Sequence, residues 1–103
     1  MFYTFKQNNS GGEFINDENV GSYVIIEADS LSEAVDRAKE VGLYWGGVRN
    51  GIDCPCCGDR WYPWADVSEI PCIYGCPFEE IEDSRDGYIH VYYADGRHVK
   101  RAI

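Results

Sequence analysis

The stretch that decides the fold reads Cys54-Pro55-Cys56-Cys57-Gly58, and a second cysteine pair follows it in Cys72-Ile73-Tyr74-Gly75-Cys76. Structural zinc takes four soft ligands in a tetrahedral arrangement, and tight turns supply such ligands two at a time. Cys54 and Cys57 form a C-x2-C pair of the zinc-ribbon type, in which Gly58 supplies a positive φ. Cys72 and Cys76 form a C-x3-C pair, one residue longer than usual. The spacing predicts a structural Zn²⁺ held by Cys54, Cys57, Cys72 and Cys76.

Other uses of these cysteines stay open at this point. A disulfide framework would leave one of the five thiols unpaired. Buried cysteines without a ligand rarely cluster four within 23 residues. We interpret Cys56 as a spacer inside the first turn, although Cys56, His90 or His98 would also be able to replace one of the four ligands. A nucleophilic role for Cys56 has no support beyond its thiol.

Length and charge bound the class of protein. The chain has 103 residues and carries 18 acidic and 9 basic side chains, which give a formal net charge of −9. We predict a single zinc-stabilised domain over residues 1–103, because a core of this size is marginally stable and a structural zinc would offset that weakness. The sequence begins without a basic leader and has no apolar run of membrane-spanning length, which predicts a soluble cytosolic protein without membrane contact.

The negative charge also bears on partners. Binding to DNA or RNA requires a basic face that displaces counterions, so we expect no direct nucleic-acid binding. The basic residues that would form such a face are scattered among acidic ones: Arg49, Arg60, Arg85, Arg97, Lys100 and Arg101. An acidic, aromatic-rich surface suits a basic protein partner better, and would even mimic DNA for one. Excess acid that only keeps a small protein soluble is an equally good explanation.

Local patterns predict most of the secondary structure. Residues 2–7 alternate with aromatics and predict a strand, and residues 22–28 contain four consecutive apolar residues, which is typical of a central strand. Ser30 and Glu33 form a capping box that begins a helix, and Gly42 ends it. Glu33 and Arg37 are spaced for an ion pair on its outer face. The apolar face of this helix consists of Leu31, Ala34, Val35, Ala38 and Val41.

Asp95-Gly96 lies between two alternating runs and predicts a hairpin at the end of the chain. A two-residue loop would place Tyr92 opposite Val99 and His90 opposite Arg101. His90 and His98 would then lie on opposite faces, which argues against a catalytic or metal-binding pair. The elements together predict an α+β fold: a small antiparallel sheet of four or five strands, one packed helix and an inserted zinc-ribbon-like knuckle pair.

Three tryptophans fall between residues 45 and 64. They have two interpretations: they cover the metal site and join it to the sheet, or they form a partner- or ligand-binding patch, because Trp and Tyr dominate binding hot spots. The residues of this candidate patch are Trp45, Trp61, Tyr62 and Trp64. An acidic run after the second cysteine pair is interpreted as an exposed loop; it consists of Glu79, Glu80, Glu82, Asp83 and Asp86.

Three segments, residues 7–12, 28–44 and 53–61, resemble a family of small uncharacterised tailed-bacteriophage proteins. The cysteine turn followed by Gly58-Asp59-Arg60-Trp61 is the most specific part of this resemblance. The resemblance implies a phage origin and expression inside a bacterial host. It carries no activity, so no catalytic residue follows from it.

Three classes of function remain. We favour a non-enzymatic, zinc-stabilised phage protein that engages a host protein, such as a defence or nucleic-acid-handling enzyme, in the host cytoplasm. The second class is a small-molecule binder, for example of a nucleotide, that uses Trp45, Trp61 and Trp64 as a stacking pocket. We do not expect an enzyme, because four cysteines close the zinc shell whereas a catalytic zinc keeps one position open.

Overall fold

The computed structural model describes residues 1–8, 14–53, 55–56, 58–81 and 87–102. Two predicted zinc ligands, Cys54 and Cys57, therefore lie outside the described residues, as do three members of the acidic run. The described part is α+β, as predicted, with a larger and a smaller sheet. Its elements are β1 (Phe2–Gln7), β2 (Tyr23–Glu27), α1 (Leu31–Val41), β3 (Trp61–Ser68), β4 (Cys72–Ile73), β5 (Cys76–Pro77), a 3-10 turn (Phe78–Glu80), β6 (Tyr88–Tyr92) and β7 (His98–Ala102).

The larger sheet has five strands in the order β3-β1-β2-β6-β7, and β4 and β5 form a separate ribbon. β1 is antiparallel to both of its neighbours, β2 and β3. β2 and β6 are parallel, with Tyr23 paired to Ile89. The sheet is therefore mixed, and the prediction of an antiparallel sheet is wrong. The segment between β2 and β6 contains α1, β3 and the β4–β5 ribbon, and it is long enough to return the chain in the same direction.

The helix begins and ends where the sequence predicts. Ser30 accepts the Glu33 backbone N–H through its hydroxyl at 3.2 Å, and Gly42 ends the helix with a φ of 118°. Arg37 does not form the predicted ion pair with Glu33. Its guanidinium instead donates to the carbonyls of Glu27 and Tyr93, each at 3.3 Å, and so ties α1 to the sheet.

No helix in the described residues is long and apolar enough to cross a membrane.

The sheet is covered on both faces. On one face α1 packs through Ala34 and Ala38, and the side chains beneath it include Phe5, Ile26 and Trp61. On the other face the β4–β5 ribbon and the 3-10 turn contribute Ile73 and Phe78, which pack on residues that include Phe2, Ile25, Ile89 and Val91. The segment around the second cysteine pair is therefore part of the hydrophobic core.

The terminal hairpin differs from its predicted register by one residue. Tyr92 pairs with His98 and His90 with Lys100, because the loop has three residues and not two. Gly96 takes a φ of 94°, and the Asp95 carboxylate accepts the Arg97 backbone N–H at 3.0 Å, which favours the longer turn. A one-residue change of register moves every side chain of β7 to the other face. His90 and His98 therefore share a face, and the prediction that they lie on opposite faces is wrong.

Candidate functional site

The second cysteine pair forms a tight hairpin. Ile73 pairs with Cys76, and Cys72 pairs with Pro77, while Tyr74 and Gly75 form the turn with φ values of 51° and 81°. Directly opposite residues of an antiparallel pair share a face, so Cys72 and Cys76 lie on opposite faces of the ribbon. The Cys72 thiol is buried and lies 3.3 Å from the Ser68 hydroxyl, whereas the Cys76 thiol lies 3.7 Å from the Pro77 carbonyl.

This arrangement bears on the predicted zinc site. Within the part of the chain that the structure describes, no three His, Cys, Asp or Glu side chains converge as a metal site would require. Both thiolates of a zinc-ribbon turn must reach one ion, which the opposite faces of Cys72 and Cys76 do not provide in this hairpin. Cys54 and Cys57 lie outside the described residues. The four-cysteine site stays a prediction.

The start of the first cysteine stretch is anchored by Asp53, which is 6% exposed. Its carboxylate accepts the Tyr44 hydroxyl and the Arg60 backbone N–H, both at 2.8 Å, and lies 3.8 Å from the Arg60 Nε. Burial, followed by the hydrogen bond to Asp53, raises the pKa of Tyr44 above its ordinary value. Sequence analysis missed this carboxylate. The available signal was an acidic residue placed directly before the first cysteine.

The four residues of the candidate patch do not form one surface. Trp61 is 2% exposed and belongs to the core beneath α1. Trp45 is half-buried against Phe5, and its indole N–H donates to the Tyr62 carbonyl at 3.0 Å. Trp64 is 55% exposed, and its ring lies 5.1 Å from that of Tyr62. Trp61 therefore has a structural role, and Trp45 lines a cavity between α1 and β3. Tyr62, which is half-buried, and the exposed Trp64 form the accessible aromatic pair.

A lysine and a tyrosine extend this aromatic pair across the neighbouring elements. The Lys6 ammonium lies 2.6 Å from the Asp66 carboxylate of β3 and 4.1 Å from the centre of the Tyr74 ring. Burial by itself lowers the pKa of Lys6, but the hydrogen bonds to Asp66 and Tyr74 outweigh it and raise that pKa. The charge of Asp66 is therefore balanced locally, while Tyr74 stays 76% exposed.

A cavity of about 370 Å³ opens between these side chains and the start of β2. Ser22 is one of its lining residues, although the Ser22 hydroxyl itself is buried. The cavity is lined by Lys6, Gln7, Asn8, Phe14, Ser22, Tyr23, Tyr62 and Tyr74. None of the three tryptophans of the predicted stacking pocket lines this cavity, whose aromatic residues are Phe14 and three tyrosines.

The corrected register joins His90 and His98. His90 is fully buried; its Nε2 lies 2.9 Å from the Asp17 carbonyl oxygen and its Nδ1 lies 2.7 Å from the His98 Nε2. The carbonyl requires a proton on the His90 Nε2, so a neutral His90 accepts the proton of the His98 Nε2 at its Nδ1. Burial, followed by the charge of His98, lowers the pKa of His90. Burial also lowers the pKa of His98, although Glu18 opposes that shift.

These contacts define what the pair does chemically. Both His90 nitrogens are occupied inside the protein, and the His98 ring stacks on Tyr92 with the centroids 4.1 Å apart. The Tyr92 hydroxyl donates to the Asn19 carbonyl. The two histidines therefore join β6 and β7 to residues 17–19, and His90 presents no nitrogen to a substrate.

A protein-family model covers almost the whole chain. This family is described as a domain of unknown function (DUF7296), and the match spans residues 1–102. No curated protein and no solved structure matches the chain.

Proposed function

We propose that this chain, which belongs to the DUF7296 family, is a phage-encoded binding protein that engages a protein of the bacterial host in the host cytoplasm. The observation that carries the proposal is the aromatic pair on β3, in which Trp64 is exposed and Tyr62 is half-buried. Tryptophan is highly buried on average, yet Trp64 is 55% exposed while Trp61 lies in the core. Exposed Trp and Tyr side chains are the residues that most often dominate protein interfaces.

Charge supports a basic partner. The net charge is −9, and β3 itself contains no lysine or arginine, while the exposed residues Asp66 and Glu69 lie within it and just after it. Complementary charge steers encounters and selects partners. A defence or nucleic-acid-handling enzyme, whose substrate requires basic surfaces, is the proposed class of target. Direct binding to nucleic acid is disfavoured for the same reason.

A non-enzymatic role and a structural zinc are both part of the proposal. The buried His90 uses both ring nitrogens for internal contacts, which supports a structural role for it. The zinc rests on the spacing of Cys54, Cys57, Cys72 and Cys76, and its binding would require the β4–β5 hairpin to turn the thiolates of Cys72 and Cys76 toward one ion. Native mass spectrometry of protein purified without added metal tests it. We expect the chain plus one zinc; a zinc-free mass that is two hydrogens lighter per disulfide would remove the site.

A matched pair of variants sharpens this metal test. Cys56→Ser should keep the zinc, since Cys56 is proposed as a spacer, and Cys72→Ser should lose it. Retention of zinc by Cys72→Ser would show that the second cysteine pair is not a ligand pair. Loss of zinc from Cys56→Ser would instead place Cys56 in the metal shell.

Affinity capture from a bacterial lysate tests the binding function. Wild-type protein should retain a specific host protein, and Trp64→Ala should lose it. Ile52→Ala is the matched control, because Ile52 is 63% exposed but lies in the loop before the first cysteine stretch and not on β3. Circular dichroism would establish that both variants are folded. Equal capture by all three proteins, or no specific capture at all, contradicts the proposal.

The cavity beside Tyr62 favours one alternative function, the binding of a small planar anion such as a nucleotide. Its volume of about 370 Å³ is within the usual range for ligand pockets. The exposed ring of Tyr74 offers a stacking surface, and the Lys6 ammonium, which pairs with Asp66, lies in the same lining. Titration of tryptophan fluorescence with a nucleotide panel tests it. A response lost in Tyr74→Ala would support the alternative, and an unchanged spectrum would remove it.

A further inference from the structure

We propose that β3 accepts an extended segment of a basic protein partner as an added strand, with residues 64–68 as the pairing surface. This inference rests on the proposed function and specifies its mode of binding. β3 lies at the end of the five-stranded sheet, and no strand of the described residues pairs with its outer edge. The outer backbone groups of an edge strand are a template for another chain.

The two edges of the sheet differ in a way that identifies β3 as the docking edge. β7, at the opposite end, carries Lys100 and Arg101, and Arg97 lies in the turn before it. Such positive charges are a common protection of edge strands against unwanted pairing. β3 has no such positive charge, and the Asp66 side chain stays 50% exposed although its carboxylate lies 2.6 Å from the Lys6 ammonium. Pro63 has no backbone N–H, so pairing begins after it.

Cavities on both sides of β3 provide space for the side chains of an added strand. Between α1 and β3 lies an apolar cavity of about 340 Å³, lined by residues that include Leu31, Val35 and Pro63. A second cavity, of about 480 Å³, lies on the side of the β4–β5 turn and is lined by residues that include Asp66 and Tyr74. Successive side chains of a strand point to opposite faces. An added strand would therefore direct its side chains alternately into the two cavities, as in known strand-addition sites.

The residues that line the two cavities indicate which side chains the partner segment should carry. The cavity beside α1 is lined mainly by apolar residues and contains Lys39, which disfavours a basic side chain there. The other cavity contains the carboxylate of Asp66 and the exposed ring of Tyr74, which favour a basic side chain through charge and cation–π attraction. The partner segment should therefore alternate apolar and basic residues.

A second copy of this chain fits the edge poorly. Antiparallel self-pairing of residues 64–68 would be centred on Asp66 and would place this carboxylate opposite its own copy. Like charges directly opposite each other destabilise a strand pair. Each copy would also bring a net charge of −9. The occupant is therefore a basic partner.

The test uses synthetic peptides and the full-length protein. The probe is a fluorescein-labelled peptide in which valine and lysine alternate, and its matched control alternates valine and glutamate. Fluorescence anisotropy should show binding of the lysine peptide at least about tenfold tighter, which corresponds to about 1.4 kcal/mol. Hydrogen exchange measured with bound peptide should be slowed at the backbone amides of residues 64–68. Asp66→Asn should weaken binding severalfold, and Asp36→Asn, on the exposed side of α1, should not.

Selective N-methylation of the lysine peptide separates strand addition from charge attraction alone. In an added strand, alternate backbone N–H groups face β3 and the others face solvent. N-methylation of one alternating set should weaken binding about tenfold or more, and N-methylation of the other set should leave it nearly unchanged. Equal effects of the two sets, protection centred on β7, or dimerisation of the protein through β3 would each overturn the proposal.

The outcomes also separate this inference from the proposed function. A host protein that is captured by wild-type protein, but does not slow exchange at residues 64–68, would refute strand addition and leave the binding function in place. Absence of both host capture and peptide binding would refute both.

Discussion

Replacing Asp53 with alanine should destabilise the fold by about 3 kcal/mol, because it removes a buried carboxylate that accepts hydrogen bonds from Tyr44 and from the Arg60 backbone. The Asp53 side chain is 1% exposed and that of Arg60 is 11% exposed. Deleting one member of a buried ion pair costs roughly 3–5 kcal/mol. The distance of 3.8 Å between the Arg60 Nε and the carboxylate is long, which places this pair at the lower end. Tyr44 would also lose the acceptor of its hydroxyl at 2.8 Å.

A second variant tests how that loss arises. Tyr44→Phe removes one hydrogen bond to a charged group and should cost about 1.5–2 kcal/mol by itself. In the Asp53→Ala background the same change should cost about 1 kcal/mol less, because the hydroxyl no longer has its acceptor. A purely additive double variant would show that Tyr44 and Asp53 do not interact in solution.

Urea denaturation followed by tryptophan fluorescence measures these changes. With a slope of about 1–3 kcal/mol per molar urea, a loss of 3 kcal/mol lowers the midpoint by roughly 1–3 M. The measurements are made with zinc added and with zinc chelated, since Asp53 adjoins the predicted ligand Cys54. Asp36→Ala, at an exposed position of α1, is the control and should stay within about 0.5 kcal/mol of wild type. If Asp53→Ala is no worse than this control, the carboxylate does not anchor the cysteine stretch.

Three further predictions concern other parts of the core. The pKa values of His90 and His98 are lowered in the folded protein. Near the histidine pKa of about 6.5 the unfolded chain therefore binds more protons than the folded protein. The free energy of unfolding should be highest above about pH 7 and should fall below it. Urea midpoints that do not change between about pH 7.5 and about pH 5.5 would contradict the lowered pKa values. Trp61→Ala should cost about 3–5 kcal/mol in denaturation followed by circular dichroism, whereas Trp64→Ala should cost less than about 1 kcal/mol; equal losses would refute the assignment of core and surface. In Gly47→Ala the new Cβ would overlap the Asp53 carboxylate, so this change should cost about 1–3 kcal/mol in urea, and much less when Asp53 is also alanine; full additivity would show that the two do not collide.

Sequence patterns predicted the elements whose ends depend only on neighbouring residues. The helix was predicted correctly because Ser30 and Gly42 determine its ends through contacts within a few residues. The strand β3 was missed, since Pro63 and the aromatic residues on either side of it suggested an extension of the cysteine turn. The parallel pairing of β2 with β6 could not be predicted, because no local pattern states which distant strand lies beside β2.

The site was less predictable than the fold because it depends on turns. The spacing of Cys72 and Cys76 is visible in the sequence, but the faces on which they lie depend on the two-residue turn between β4 and β5. The contact of His90 with His98 was hidden by one additional loop residue, since a strand alternates its faces at every position. The sequence also did not distinguish the buried Trp61 from the exposed Trp64, because only packing against α1 shows which face of β3 is covered.

The parallel pairing of β2 with β6 has a consequence for synthesis of the protein. Val24 and Ile25, in the middle of the sheet, are fully buried, and β6 lies beside them only after more than half of the chain has followed. During translation the hairpin of β1 and β2 therefore emerges from the ribosome with both edges uncovered, and the β2 edge stays uncovered until β6 has followed. Distant pairings of this kind form slowly and leave intermediates open to aggregation. The nascent chain should depend on chaperones until β6 and β7 have been synthesised, and loss of these two strands would prevent the whole sheet from folding.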